Sequence, residues 1–257
     1  MRRLWPVLII AFGVNLIVGG RTPWLATILI GALLAAAVTW AALLVEPGGE
    51  LVSTSMAEGL EGVSVVDVEI GFGAGDLKIT SLPEGSPNLV EAAFDTPGRG
   101  AVTSLRRSDD SADLRFSMES GRWFRSASGA EWEIMLSRSP ALSIRLNGGA
   151  ASMVLDLSDL QVTDLEIATG ALGVDVTVPA DAGEIFVQID GGASNIEVLV
   201  PDGVAARITS ASGLSSINVD RSRFPKLAGV YASPGFEDAA NRVNIDIRVG
   251  VSSVTVR

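Results

Sequence analysis

The chain has no cysteine and no histidine among its 257 residues, and its only lysines are Lys78 and Lys226. The first absence removes disulfide frameworks, thiol nucleophiles and zinc sites built on Cys and His; the second removes the commonest acid–base group. Serine is plentiful, but without histidine no serine nucleophile has an evident base. Positive charge is scarce, 19 Lys and Arg against 30 Asp and Glu, for a net −11. Residues 1–50 hold Arg2, Arg3 and Arg21 against Glu46 and Glu50, so the remainder carries −12, and binding to nucleic acid is not expected. Helical periodicity is missing too. Beyond Leu51 no stretch of a dozen residues repeats at 3.6.

What is abundant is apolar surface, 47% of residues with a mean hydropathy of +0.39. The excess sits in two runs, residues 4–20 and 24–45, joined by Arg21, Thr22 and Pro23. The second run is long enough to cross roughly 30 Å of hydrocarbon as a helix. The first, with Pro6 and Asn15, is at the lower limit for spanning. Trp5 and Trp24 stand at run ends, where an amphipathic ring favours the headgroup region. A cleaved signal peptide fits less well, because a second, longer apolar run follows and no small-x-small cleavage site is convincing. The expectation is an anchor over residues 1–46 inserted as a helical hairpin in the cell membrane. Arg2 and Arg3 against Arg21 then favour a cytoplasmic domain, whereas a single span over the second run gives an external one.

The rest reads as strands by period-two alternation: residues 63–70 (VSVVDVEI), 131–136 (EWEIML), 184–190 (EIFVQID) and 242–248 (RVNIDIR). A repeat overlies this alternation. Segments opening at Gly73 (GAGDLKI), Gly149 (GAASMVL), Gly170 (GALGVDV), Gly192 (GASNIEV), Gly213 (GLSSINV) and Gly250 (GVSSVTV) share glycine, small positions, then apolar-any-apolar. The four central glycines are spaced by 21, 22 and 21 residues. That period suits one coil of a β-solenoid, with neighbouring coils stacked about 4.8 Å apart. Leu172, Val174, Val176, Ile196, Val198, Ile217 and Val219 are then predicted to face inward, with Asp175, Glu197 and Asn218 outward. Degenerate coils and a loop are expected between Gly73 and Gly149. The final strand is expected to form the open end, capped by a fold-back of residues 224–241 through Phe224, Tyr231 and Phe236.

Three motifs invite chemical readings. GFGAG at residues 71–75 could be a phosphate loop, but a strand follows where a helix would have to open. Asp109, Asp110, Asp113, Asp156 and Asp159 lack the ligand spacing of a calcium loop and read as turn caps. Arg106, Arg107, Arg115, Arg122 and Arg125 surround Trp123 and Phe124, the composition of a protein-docking patch; the alternative is a covered edge with the arginines paired to nearby aspartates. No catalytic, metal or cofactor site is expected.

Residues 155–179 (LDLSDLQVTDLEIATGALGVDVTVP), the GGAS strand at 191–194 and the ending 231–256 (YASPGFEDAANRVNIDIRVGVSSVTV) resemble the C-terminal domain of cell-wall-active antibiotics response, LiaF-like, proteins. They are similar also to the related toast-rack and adhesin-type β-solenoid domains. LWPVLIIAFG at residues 4–13 is similar to the apolar helices that precede that domain. The resemblance implies a non-enzymatic membrane component that relays envelope stress, often by restraining a sensor histidine kinase, and it brings no catalytic motif. The expected organisation is all-β: anchor 1–46, linker 47–62 and β-solenoid 63–257. The leading function is a membrane-bound interaction module with a protein partner, a sensor kinase or an envelope protein. The alternative is an adhesin-like scaffold that self-associates through its solenoid ends, and a carboxylate-based glycoside hydrolase is a distant third.

Overall fold

The computed structural model describes residues 51–97, 100–118 and 129–257, and no α-helix occurs among them. The anchor runs at 4–20 and 24–45, and Arg122, Trp123, Phe124 and Arg125 of the docking patch, lie outside the described residues. Among the described residues no helix is long and apolar enough to cross a membrane.

Five long strands run parallel to one another: β2 (Val65–Ser81), β7 (Ala141–Asp156), β8 (Gln161–Thr177), β9 (Glu184–Leu199) and β13 (Arg242–Val256), joined by the equally parallel β10 (Ala205–Val219). Each is one coil folded at its repeat glycine into a first and a second arm. The glycines stack. A β-carbon on Gly149 would stand 2.6 Å from the carbonyl oxygen of Gly73, one on Gly170 3.0 Å from that of Gly149, one on Gly192 2.6 Å from that of Gly170, and one on Gly250 2.7 Å from that of Gly192. Successive coils approach so closely at this corner that only glycine fits.

Between the arms lies one hydrophobic core, filled by ladders of equivalent residues. In the second arm the ladder runs Leu77, Met153, Val174, Ile196, Val254 and Ile217 in strand order. All are at most 2% exposed except Ile217, which is only partly buried. Val176, Val198 and Val219 are buried as the alternation predicts, and Asp175 and Asn218 face solvent. The side chain of Leu172 is outside the described set.

The structure corrects the expected coil order. β13 does not end the stack: it pairs with β9 on one side and β10 on the other, so the terminal coil is β10. After β10 the chain makes an excursion over residues 220–241, and its last strand lies between β9 and β10. The sequence pattern permits this because GLSSINV and GVSSVTV fit either slot equally well. Within the excursion, β11 (Lys226–Leu227) and β12 (Val230–Ala232) extend the sheet beyond β10, with Ile208 of β10 opposite Tyr231.

The other end is also revised. β2 pairs directly with β7, so the chain between Gly73 and Gly149 is not stacked between those two coils. Instead β5 (Ser111–Met118) runs parallel to the first arm of β2 and β6 (Ala130–Leu136) to its second arm, so one degenerate coil of this region stacks on the far side of β2. β3 (Asn88–Pro97) and β4 (Ala101–Ser108) close its two arms as antiparallel strands, and β1 (Leu51–Gly59) pairs with β3. Residues 51–59 therefore belong to the sheet, not to the expected linker of 47–62. Their polar, weakly alternating LVSTSMAEG gives little strand signal, and backbone pairing to β3 supplies the order. Phe72, Phe94, Phe116 and Trp132 plug this end, with edge-on ring contacts of 5.0–5.1 Å at Trp132.

Candidate interaction surface

Alternation places one side of every first arm in the core and the other on an outer face. Because the coils are in register, outer residues form rows across the strands. One row reads Asp67, Ser143, Asp164, Phe186, Asn244, Arg207, and the next Glu69, Arg145, Glu166, Gln188, Asp246, Thr209. These rows line a depression of about 450 Å³.

Its arginines are already engaged. Arg145 Nε donates to Glu166 at 3.0 Å, Arg115 lies 3.2 Å from Glu69, and Arg242 pairs with Glu184 at 2.8 Å. Arg248 pairs with Asp246, and Arg207 with Glu237 while lying over the Phe236 ring. Asn244 donates to Glu184 at 3.2 Å. The Arg242 hydrogen bond, aided by its charge, holds the Glu184 carboxyl below its ordinary value, and Arg242 is raised in return. On another face, Glu133 raises the Lys78 ammonium by a 2.8 Å hydrogen bond. The Asp164 carboxylate has no hydrogen-bond or ionic partner among the described residues, and beside it in the row Phe186 is 52% exposed. The bare Phe186 ring thus lies next to an uncompensated carboxylate.

Phe186 carried a signal in the sequence. In EIFVQID the residues Ile185, Val187 and Ile189 take the core side, which puts Phe186 on the polar side with Glu184, Gln188 and Asp190. An aromatic ring in a polar row is the anomaly that marks the face.

Of the arginine patch, Arg107 contacts Glu61 at 3.4 Å and Glu58 at 3.7 Å and donates to the Gly59 carbonyl at 2.7 Å, while Arg115 pairs with Glu69. Arg106 is exposed on β4 opposite Asp113. The structure therefore splits the described part of the patch: Arg115 joins the outer rows, and Arg107 clamps the chain leaving β1.

In the excursion, Phe224, Tyr231 and Phe236 are 0%, 5% and 5% exposed; Tyr231 stands opposite Ile208 of β10 and Phe236 lies under Arg207 of the same strand, so these two sit at β10 rather than at the last strand. Asp220 accepts from the Ser222 hydroxyl at 2.6 Å and from its backbone N–H, which holds its carboxyl below the ordinary value and fixes the turn into the excursion. The remaining candidate motifs are structural. GFGAG is the corner of β2, with no helix after it. Asp156 accepts from the Ser158 hydroxyl at 2.7 Å, Asp159 pairs with Arg138 at 3.1 Å, and Asp110 accepts from Ser64 at 3.0 Å. Among the described residues no group of three or more carboxylates could hold a metal ion.

Stacked parallel coils with a glycine corner and antiparallel closing strands define a toast-rack type of β-solenoid. The chain belongs to the family described as the N-terminal domain of toast_rack, DUF2154, which it matches over residues 49–199. A solved candidate cell adhesion protein from Clostridium sporogenes ATCC 15579 superposes with a TM-score of 0.73 at 20% identity, over 80% of this chain and 99% of that one. A candidate adhesin from Bacteroides fragilis NCTC 9343 aligns over 82% of this chain and 99% of that one at 12% identity, but its TM-score of 0.35 is too low to inform the fold. No curated protein matches the chain.

Proposed function

We propose that this protein is a non-enzymatic interaction module tethered to the cell membrane by residues 4–20 and 24–45. The outer face around Phe186 is its docking surface. The observation that carries this is the half-exposed ring beside the unpaired Asp164, on a face where the nearby Arg145, Arg207 and Arg242 are already paired. A partner that covers the ring with an apolar side chain and brings a lysine or arginine to Asp164 gains both burial and charge neutralisation. The resemblance to LiaF-like proteins supports a partner in envelope-stress signalling, of which a sensor kinase is the first to test, and the arginine distribution favours a cytoplasmic domain. Full-length protein recovered from membranes tests this: Phe186→Asp loses the bound protein and Arg106→Ser keeps it. Equal recovery by both variants overturns the Phe186 surface.

A second reading, an adhesin-like scaffold that associates with itself, is favoured by the incomplete burial of Ile217 on the terminal coil. The adhesion assignment of the Clostridium sporogenes protein, which shares the fold, is consistent with it.

A further inference from the structure

Among the described residues the two arms form sheets with four free edges, and one of them carries no charged residue. β4 carries Arg106 and Arg107, and β1 carries Glu58. On the first-arm side β10 is covered by β12, and the edge beyond it, β11, is two residues long. The second arm of β10, residues 214–219, pairs with β13 on one side and with nothing on the other among the described residues. Strand edges in stable monomers are blunted by charge, proline or a bulge. This one has none, since no charged residue or proline occurs from Thr209 to Val219. The inner ladder is also unfinished here. Val254 is 0% exposed, and Ile217 beside it in register is partly open because no coil stacks on it.

Deepening the self-association reading above, we infer that residues 214–219 pair antiparallel with the same residues of a second copy about a twofold axis, continuing the second-arm sheet across the joint. An edge of unpaired backbone N–H and C=O groups takes a β-strand, and three features select this one. Residues opposite one another in an antiparallel pair share a face, so Ile217 meets Ile217 or Val219 of the second copy and the apolar ladder is completed from both sides. The chains are strongly acidic, yet the acidic side chain nearest the joint within the second-arm strands is Glu197, two strands away and paired at 2.5 Å with Arg257, which follows β13. Across the joint the two Glu197 stand about 24 Å apart at about 4.8 Å per strand, well beyond the Debye length of about 8 Å. Finally, the excursion cap sits at the end of the coil away from the corner, at Ile208 and Asp220, so antiparallel pairing sends the two caps to opposite ends of the joint.

The cysteine-free sequence makes the test direct. Full-length protein in detergent micelles, with cysteine at the exposed Ser216 or Asn218, is oxidised alone and as a mixture of the two variants. Opposed residues lie about 4.5–5.5 Å apart, inside the disulfide window of about 4.4–6.8 Å. The expected result is a covalent dimer in at least one of the three samples, set by the register, and none from Ser104→Cys on β4 or from Ser55→Cys on β1 mixed with either variant. Asn218→Lys, which leaves the core untouched, should retain the thermal melt and weaken dimerisation at least tenfold by sedimentation. Absence of dimer in all three samples overturns the joint. Equal cross-linking at Ser104 also overturns it, and cross-linking only in the Ser55 mixtures replaces it with head-to-tail assembly. A monomeric protein whose partner binding still depends on Phe186 removes self-association and leaves the docking reading standing.

Discussion

The carbonyl oxygen of Gly170 stands 2.6 Å from where a β-carbon on Gly192 would sit. The same relation recurs up the stack, so the corner is a column of backbone with no room for side chains. Three residues beyond Gly170, Gly173 has nothing within 4 Å of its missing β-carbon.

Gly192→Ala should therefore cost about 1–3 kcal/mol through forced coil separation, lowering Tm by roughly 2–12 °C at about 2–4 °C per kcal/mol for a domain of this size. Gly173→Ala should be neutral or slightly stabilising, because alanine loses less chain entropy on folding. Calorimetry of the pair checks this, and equal effects would remove the corner argument.

Truncation after Asn241 deletes β13, an interior strand with partners on both sides. The expected outcome is loss of the cooperative unfolding transition. Had β13 been the outermost coil, its removal would leave the remaining stack intact and melting cooperatively, so circular dichroism of the truncated chain separates the two arrangements.

How much of this was legible turns on particular residues. The glycines at 149, 170, 192 and 250 revealed the coil, the corner and the inward ladders, because a stacked corner imposes its constraint on every turn. Which coil lies next to which was not legible. Val254 and Ile217 occupy equivalent positions in near-identical segments, and side-chain pattern cannot distinguish two slots of the same shape. The outward Phe186 was derivable from its alternation, but its meaning depended on Asp164 being its unpaired neighbour, a long-range relation that spacing along the chain does not encode.

The cap residues give a third expectation. Phe224→Ala removes a ring with no exposure and should cost about 3–5 kcal/mol. Tyr231→Ser with Phe236→Ser should open the same end of the core and raise the proportion of oligomer. Thermal melts with size-exclusion chromatography provide the readout; a monomer with unchanged Tm would count against the cap.

Acid should weaken the β9–β13 junction in a defined direction. Because Arg242 holds Glu184 below its ordinary 4.5, the carboxylate's contribution to stability is fully present above that value and is lost as pH falls through the lowered pKa. Glu184→Gln should lower Tm slightly at neutral pH and converge on the unsubstituted protein in acid. At the other extreme, the raised Lys78 contributes below its ordinary 10.5 and its support is lost as pH rises through the folded value, so Lys78→Met should converge with the parent only in strong alkali. Melting curves against pH read both.

The central claim, that the Phe186 face docks another protein, is tested most directly by site-specific photocrosslinking of the full-length protein in its native membrane. A benzophenone side chain replaces Phe186 in one sample and Ser104, on the β4 edge, in another. The account predicts a discrete adduct to one protein from position 186, abolished by Asp164→Asn, and none from position 104. No adduct from position 186, or adducts of equal yield from both positions, would contradict it.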